Sequence, residues 1–320
     1  MKAIQVHRFG GPEVLEVHEI PTPNPGPGQI LVRVHAAGVN PYDTYMRSGT
    51  YAVKPSLPYI PGSDAAGTVE AIGDGVKKVK PGNRVYTAKT ITGAYAEYAL
   101  ADESQIYPLP QKISFAQGAG LWVPYGTAYT ALHHHAKAHA GETLLVHGAS
   151  GGVGIAAVQF AGAQGLTIIG TAGTQRGLDL VKKEGAHHAF DHTKPGYAEE
   201  IMKATGGRGV DLILEMLANV NLATDLKLLA LRGRVIVIGN RGEITINPRE
   251  LMLRRASVRG FTLWAATDAE CAEIHAAIAA GLDNGTLRPI VGKELPLKDA
   301  PVAHQDVLAP GAFGKIVLVP

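Results

Sequence analysis

Residues 143–164, TLLVHGASGGVGIAAVQFAGAQ, decide the fold class of this chain. A short β-branched and aliphatic run leads into a glycine-rich turn, VHGASGGVG (146–154), and the turn opens an apolar segment of helical length. In that order the glycines have separate tasks. Gly148 makes the tight turn, Gly151 and Gly152 let the backbone approach a pyrophosphate, and Gly154 lets the helix pack closely on the strand. The amides of Ser150, Gly151, Gly152 and Val153 then face phosphates at the positive end of the helix. The spacing is GxxGxxG, a departure from the usual GxGxxG. The same residues also fit G-x-S-x-G, the strand-to-helix elbow of a serine hydrolase, with Asp283 and His304 as the nominal partners in chain order. Neither partner sits in a segment resembling a loop after a sheet strand, and Gly154 has no task in that scheme.

Downstream, apolar runs begin at 143, 167, 188, 210, 234 and 257, and helical segments separate them. Each interval is the length of one strand plus one crossover helix, so the spacing predicts a parallel sheet. Upstream, the segments ILVRVHAAGV (30–39), AGTVEAIG (66–73), NRVYTA (83–88) and AYAEYALA (94–101) are short and bounded by turn residues, which predicts an all-β domain. A helical stretch after residue 265 and two short strand-like pieces are expected to complete that first domain.

Composition narrows the function classes. Glycine supplies 39 of 320 residues, above the usual level of about 7%, so many backbone positions need unusual dihedrals or close approach. The single cysteine, Cys271, excludes a disulfide framework and a four-thiolate zinc lobe, and a reduced cytoplasmic compartment is expected. A net charge of +2 gives no broad electrostatic footprint for nucleic acid. Residues 143–175 lack Asp, Glu, Lys and Arg, but the turns inside them predict a buried strand, helix and strand, so no membrane partner is expected.

The second strand ends TIIGTAGTQRG (167–177). NAD-binding folds carry a carboxylate near this point for the ribose diol, whereas here the position holds Gly173 and Thr174 with Arg176 close by. Without that carboxylate, and with a guanidinium nearby, a 2′-phosphate is favoured, so NADPH is the expected cofactor.

Six strings carry a resemblance: GVNPYDTYMRSGTY (38–51), LPYIPGSDAAG (57–67), VHGASGGVG, GTAGT (170–174), EMLANVNL (215–222) and VIGNRGEITINPRE (237–250). Together they resemble the medium-chain dehydrogenase/reductase superfamily, its quinone oxidoreductase branch, and within that the zeta-crystallin type. The resemblance implies an α/β protein with a discontinuous GroES-like β domain (1–124 and 265–320) and a doubly wound Rossmann domain (125–264). It implies a quinone reductase with a detoxification-type role, acting on ortho-quinones and by one-electron transfer. The alternatives are an alkenal or enone reductase and, from another class, an AU-rich RNA-binding or crystallin-like protein.

The zinc ligands of the superfamily's alcohol dehydrogenases fall by motif on Asn40 and on Ser63 and Asp64, so no zinc is expected. His133, His134, His135 and His139 offer at most His135 and His139 on one helical face. Without a metal to stabilise a developing alkoxide, the substrate must be electrophilic already, as a quinone is. Carried over by motif, Tyr45 lies beside the nicotinamide or its ribose, with Asn40 and Asp43 near it, and Tyr51 lines the substrate entrance. Gly173, Thr174, Arg176 and His192 fall at the adenosine phosphate end, where a family lysine is replaced by Gly177. Asn221, Ile238, Gly239, Asn240, Arg241, Phe261, Thr262 and Leu263 resemble contacts to the nicotinamide half. The resemblance further implies a homodimer or homotetramer paired through the edge of the strand at SVRGFTLW (257–264).

Overall fold

The computed structural model describes residues 1–320. Its strands are β1 (Lys2–Gln5), β2 (Glu16–Glu19), β3 (Gln29–Val39), β4 (Asp64–Ile72), β5 (Arg84–Thr87), β6 (Tyr98–Asp102), β7 (Ile106–Pro108), β8 (Thr143–Val146), β9 (Thr167–Ala172), β10 (His188–Asp191), β11 (Val210–Glu215), β12 (Leu229–Val237), β13 (Ser257–Gly260), β14 (Val291–Pro296) and β15 (Lys315–Val319). The helices used below are α1 (Pro41–Ser48), α2 (Gly152–Ala163), α3 (Gln175–Lys183), α4 (Tyr197–Ala204), α5 (Ala218–Leu228), α6 (Pro248–Arg254), α7 (Asp268–Asp283) and α8 (Ala300–Asp306).

The chain divides into two compact units. One comprises Met1–Val123, Pro289–Ala309 and Gly314–Pro320, and the other Pro124–Arg288 and Pro310–Phe313. The chain therefore returns to the first unit near residue 289, where the sequence expectation placed the return at 265. Helix α7 explains the difference. It buries Ile274, Ile278 and Leu282, its Glu273 pairs with His134, and Arg288 just beyond it bonds the buried Gln159 of α2.

In the first unit a seven-stranded sheet runs β14-β15-β3-β4-β5-β7, with β6 also on β3, and β1 and β2 form a separate pair. Strand β3 is the spine. Its pairing with β4 shifts register between Val34 and Ala36, and this break in alternation lets Val34 share one core cluster with the odd-numbered Ala37 and Val39. The expected strand at 94–101 is shorter than predicted, because the amides of Ala94 and Tyr95 bond the Pro61 carbonyl instead of a ladder. At the end of β3, Asn40 leads into α1, which starts on Pro41 and ends at Gly49 with φ +72°. That placement sets Asn40, Asp43 and Tyr45 within one and a half turns of the sheet end.

The second unit holds a six-stranded sheet in the order β10-β9-β8-β11-β12-β13, with every pairing parallel. The order reverses between β9 and β11 on either side of β8, and ligands of such sheets bind at the strand ends beside this switch point. The stretch without Asp, Glu, Lys or Arg resolves into β8, α2 and β9, and no helix is long and apolar enough to cross a membrane. Helix α2 is buried nearly all round, and its one long polar residue, Gln159, is satisfied by Tyr125, Glu184 and Arg288. Strand β12 starts five residues before the expected 234, running directly out of α5. Strand β13 stops at Gly260, and Leu263–Ala265 turns instead of extending it.

Candidate functional site

The glycine turn has the geometry its spacing implies. Gly148 sits at φ +56°, its amide donates to Thr171 Oγ1 at 3.2 Å, and Gly151 N donates to Gly148 O at 3.0 Å. A Cβ on Gly154 would strike the Ala149 backbone and the Gly148 carbonyl, so α2 can leave the turn only over glycine. Gly151 differs, because a Cβ there meets nothing nearer than 3.5 Å within the protein. What that glycine keeps clear is the space outside the turn. No side chain caps α2, since the Ser150 hydroxyl turns away and donates to Ala312 O at 2.6 Å. The first-turn amides are left for an anion. A buried serine committed to a carbonyl is also a poor nucleophile, and His304 is engaged elsewhere, with Arg47 and Tyr95, so the elbow reading has no site here.

Around the turn the expected phosphate-end residues come together. A Cβ on Gly173 would lie 3.2 Å from His192 Nε2, and one on Gly177 would lie 3.1 Å from both Ser150 Oγ and Thr174 Oγ1. Thr174 Oγ1 caps α3 by accepting from Gly177 N at 3.1 Å. The exposed Arg176 guanidinium stacks over Phe313, 3.7 Å from the ring centroid. This segment, Pro310–Phe313, belongs to the second unit although it lies in the stretch expected to complete the β domain, and its only local signal is a Pro-Gly turn followed by an aromatic.

Of the residues expected at the other half of the dinucleotide, Asn221, Ile238 and Gly239 bond to the end of β11. Asn221 Nδ2 donates to Glu215 Oε1 at 3.1 Å, and the amides of Ile238 and Gly239 donate to the Glu215 carbonyl. Asn240 Nδ2 donates to Gly242 O, and Arg241 N to Asn219 Oδ1. A side chain on Gly239 would collide with the Met216 carbonyl oxygen. Gly239→Ala is therefore expected to cost about 1–3 kcal/mol of stability, as overpacking does, measurable by urea unfolding. Phe261 stacks on His135 with centroids 4.8 Å apart, Thr262 is exposed, and Leu263 is buried.

The histidine cluster is dispersed. His134 pairs with Glu273 and Glu270. The helical turn carrying His135 ends at Ala136, with Lys137 left-handed, so His139 lies beyond it and shares no helical face with His135.

In the first unit Asn40, Asp64 and Lys315 form a buried cluster. Asn40 Nδ2 donates to Asp64 Oδ2 at 3.0 Å. Lys315 Nζ donates to the same oxygen at 3.1 Å and also to Asn40 Oδ1. Asp64 Oδ1 accepts from Val123 N at 3.1 Å. Asn40 N donates to Asp43 Oδ2 at 2.9 Å, and a second chain of bonds ends on that carboxyl. Arg47 Nη1 donates to His304 Nδ1 (3.4 Å), His304 Nε2 to Tyr95 Oη (3.2 Å), and Tyr95 Oη to Asp43 Oδ2 (3.1 Å). Because guanidinium only donates, this order assigns the proton of neutral His304 to Nε2. Burial lifts Asp43 to about 7 and, with Arg47, pushes His304 down to about 3. Tyr45 is half-buried on α1, and its carbonyl accepts from the amides of Thr50 and Tyr51. The Tyr51 ring packs edge-on against Tyr42 at 4.8 Å. Lys315 is absent from the sequence expectations, although a lysine opening the apolar strand KIVLV is the kind of signal that marks a buried partner.

The His304 shift has a pH consequence. A histidine depressed in the folded state contributes stability above its unfolded value of 6.5, and this is lost as pH falls toward 3, at up to about 1.4 kcal/mol per pH unit. His304→Gln is expected to flatten the acid limb of the stability profile. An unchanged limb would assign the acid sensitivity to other groups.

Two family models match the chain: the alcohol dehydrogenase GroES-like domain over residues 26–111 and the zinc-binding dehydrogenase over 152–280. With the two-unit fold and the glycine turn, they place the chain in the medium-chain dehydrogenase/reductase superfamily, a class of oxidoreductases. The chain is 51% identical over 321 aligned residues to a quinone oxidoreductase of Homo sapiens, covering 100% of this chain and 98% of that one. It matches the structure of Escherichia coli quinone oxidoreductase complexed with NADPH at TM-score 0.90 and 32% identity, over 100% of both chains. An NAD-dependent alcohol dehydrogenase matches at TM-score 0.93 and 30% identity, also over 100% of both, so fold alone does not select the cofactor. Within the superfamily, the chain belongs to the quinone oxidoreductases of the zeta-crystallin type.

Proposed function

We propose that this chain is a zinc-free, NADPH-dependent quinone oxidoreductase, with an ortho-quinone as its preferred acceptor. The observation that carries the zinc-free reading is the placement of the Lys315 ammonium against Asn40 and Asp64, two of the positions where the alcohol dehydrogenases have zinc ligands. An amide and a serine hydroxyl are poor zinc donors, and the remaining carboxylate is already ion-paired. A second cation about 4 Å from the ammonium would face repulsion of several kcal/mol. Zinc does not fit this donor set, so the acceptor must be electrophilic without metal activation.

The second unit does fit the dinucleotide. The uncapped start of α2 would hold the pyrophosphate, and Arg176 with His192 the 2′-phosphate. Asn221 and the 238–241 segment would hold the nicotinamide half, and Tyr45 with Tyr51 the acceptor. When bound, NADPH supplies the hydride or single electron. The unpaired edge of β13 supports a homodimer or homotetramer, which light scattering would test.

Turnover is tested by following the loss of NADPH absorbance with an ortho-quinone and, separately, with an enone. Oxidation driven by the quinone is the expected result. Oxidation driven by the enone alone would reassign the chain as an enone reductase, and no oxidation with either would remove the reductase reading.

A further inference from the structure

Three buried ionisable side chains meet in the second unit: His147 just after β8, Glu215 at the end of β11, and Asp225 on α5, exposed by 3%, 0% and 0%. One donor atom from each lies within 4.8 Å of the others. His147 Nε2 is 2.8 Å from Asp225 Oδ1 and 3.5 Å from Glu215 Oε2. Yet Glu215 Oε2 and Asp225 Oδ2 have no hydrogen-bond partner, and a bare carboxylate oxygen out of water is costly. Nε2 faces two carboxyl oxygens, while Nδ1 faces the Thr171 hydroxyl, whose oxygen already accepts from Gly148 N, so a neutral His147 carries its proton on Nε2 and that nitrogen offers no lone pair to a metal ion. The two carboxyls lie within hydrogen-bonding reach of each other, so a shared proton supplies a donor that the pair otherwise lacks, and it belongs to the pair rather than to either residue. Burial accordingly lifts Glu215 and Asp225 to about 7 and lowers His147.

The cluster reaches both halves of the dinucleotide site. His147 Nδ1 is 3.4 Å from Thr171 Oγ1, the oxygen that accepts the Gly148 amide of the phosphate turn. Glu215 Oε1 accepts from Leu217 N and from Asn221 Nδ2. The other titratable groups facing the cluster are His192, beyond β10, and Tyr197, on α4. His192 is shifted down and Tyr197 up, so neither brings a compensating charge near neutral pH.

We propose that His147, Glu215 and Asp225 form a buried proton-binding site linked to cofactor binding, which takes up a proton when the anionic dinucleotide settles on the phosphate turn. This rests on the cofactor reading above. Negative charge arriving at the turn favours the neutral carboxyl, so affinity falls as pH rises through the range where the free cluster loses its proton. Glu215 is then a positioning residue whose protonation is coupled to the two segments that hold the cofactor.

The test is calorimetric titration with NADPH in two buffers of unlike ionisation enthalpy at about pH 8. There the free 2′-phosphate, with a second pKa of about 6, has almost no proton to release. Wild type is expected to take up as much as about one proton per chain, with Kd rising up to about tenfold per pH unit above neutrality. Glu215→Gln, neutral and nearly isosteric, is expected to lose that uptake and flatten the profile, and the difference separates the cluster from His192. Equal uptake in wild type and variant would overturn the proposal. Should the variant not fold, the infrared difference spectrum of wild type on adding NADPH decides: a growing protonated-carboxyl band supports the linkage, and its absence overturns it. Failure of wild type to bind NADPH at all would instead remove the cofactor reading, and this proposal with it.

Discussion

Lys315→Met is expected to lower the stability of the fold by about 3–5 kcal/mol, the usual cost of removing one partner from a buried ion pair. Lys315 is 5% exposed and Asp64 1%, so water cannot replace the ammonium. Its loss strands Asp64 Oδ2 with only the Asn40 amide and leaves Asn40 Oδ1 without its donor. Adding Asp64→Asn to the methionine variant removes the stranded charge and is expected to recover much of the loss. A double-mutant cycle in urea would therefore show strong coupling between the two positions. A loss below about 1 kcal/mol, the range of exposed pairs, would mean that the ammonium reaches solvent and cannot stand in the place of a metal.

Arg176→Ala is expected to raise Kd for NADPH by about 10–100-fold while changing Kd for NADH by less than about threefold. Hydrogen bonds to a charged partner contribute about 1.5–3 kcal/mol, and each 1.4 kcal/mol is about tenfold in affinity. Thr174 caps the helix that carries Arg176, and Phe313 lies under the guanidinium, so the side chain is pre-oriented by a cation–π contact of about 0.5–1 kcal/mol. Phe313→Ala should reproduce a fraction of the effect. Because Arg176 is exposed, the difference should shrink with added salt. Equal loss for both dinucleotides in a fluorescence titration would place Arg176 against the pyrophosphate rather than the 2′-phosphate.

The regular parts of the second unit were legible from spacing alone, because each βα unit repeats the same physical requirement. The parallel sheet, the buried α2 and the role of Gly154 all follow from local pattern. What stayed hidden depends on residues far apart in the chain. Lys315 meets Asn40 across 275 positions, and Ser150 meets Ala312 across 162, so no window of sequence contains either pair. His147, Glu215 and Asp225 lie in three separate segments of the chain, and each looks unremarkable in its own segment. The return near 289 is not legible in the sequence, because α7 reads as a helix whichever unit it covers. The extra five residues of β12 are hidden because Arg232 and Gly233 interrupt the apolar run, and Arg232 adopts a φ of +65° that no propensity anticipates. His135 and His139 read as sharing a face because nothing in the local pattern marks a helix end at Ala136.

The reaction proposed above needs a dinucleotide and no metal. It is tested by following NADPH oxidation by an ortho-quinone after exhaustive chelation, with the metal content of the same sample determined. Full turnover in protein that holds no zinc is the predicted result. Turnover that disappears with the metal and returns when zinc is added would contradict it.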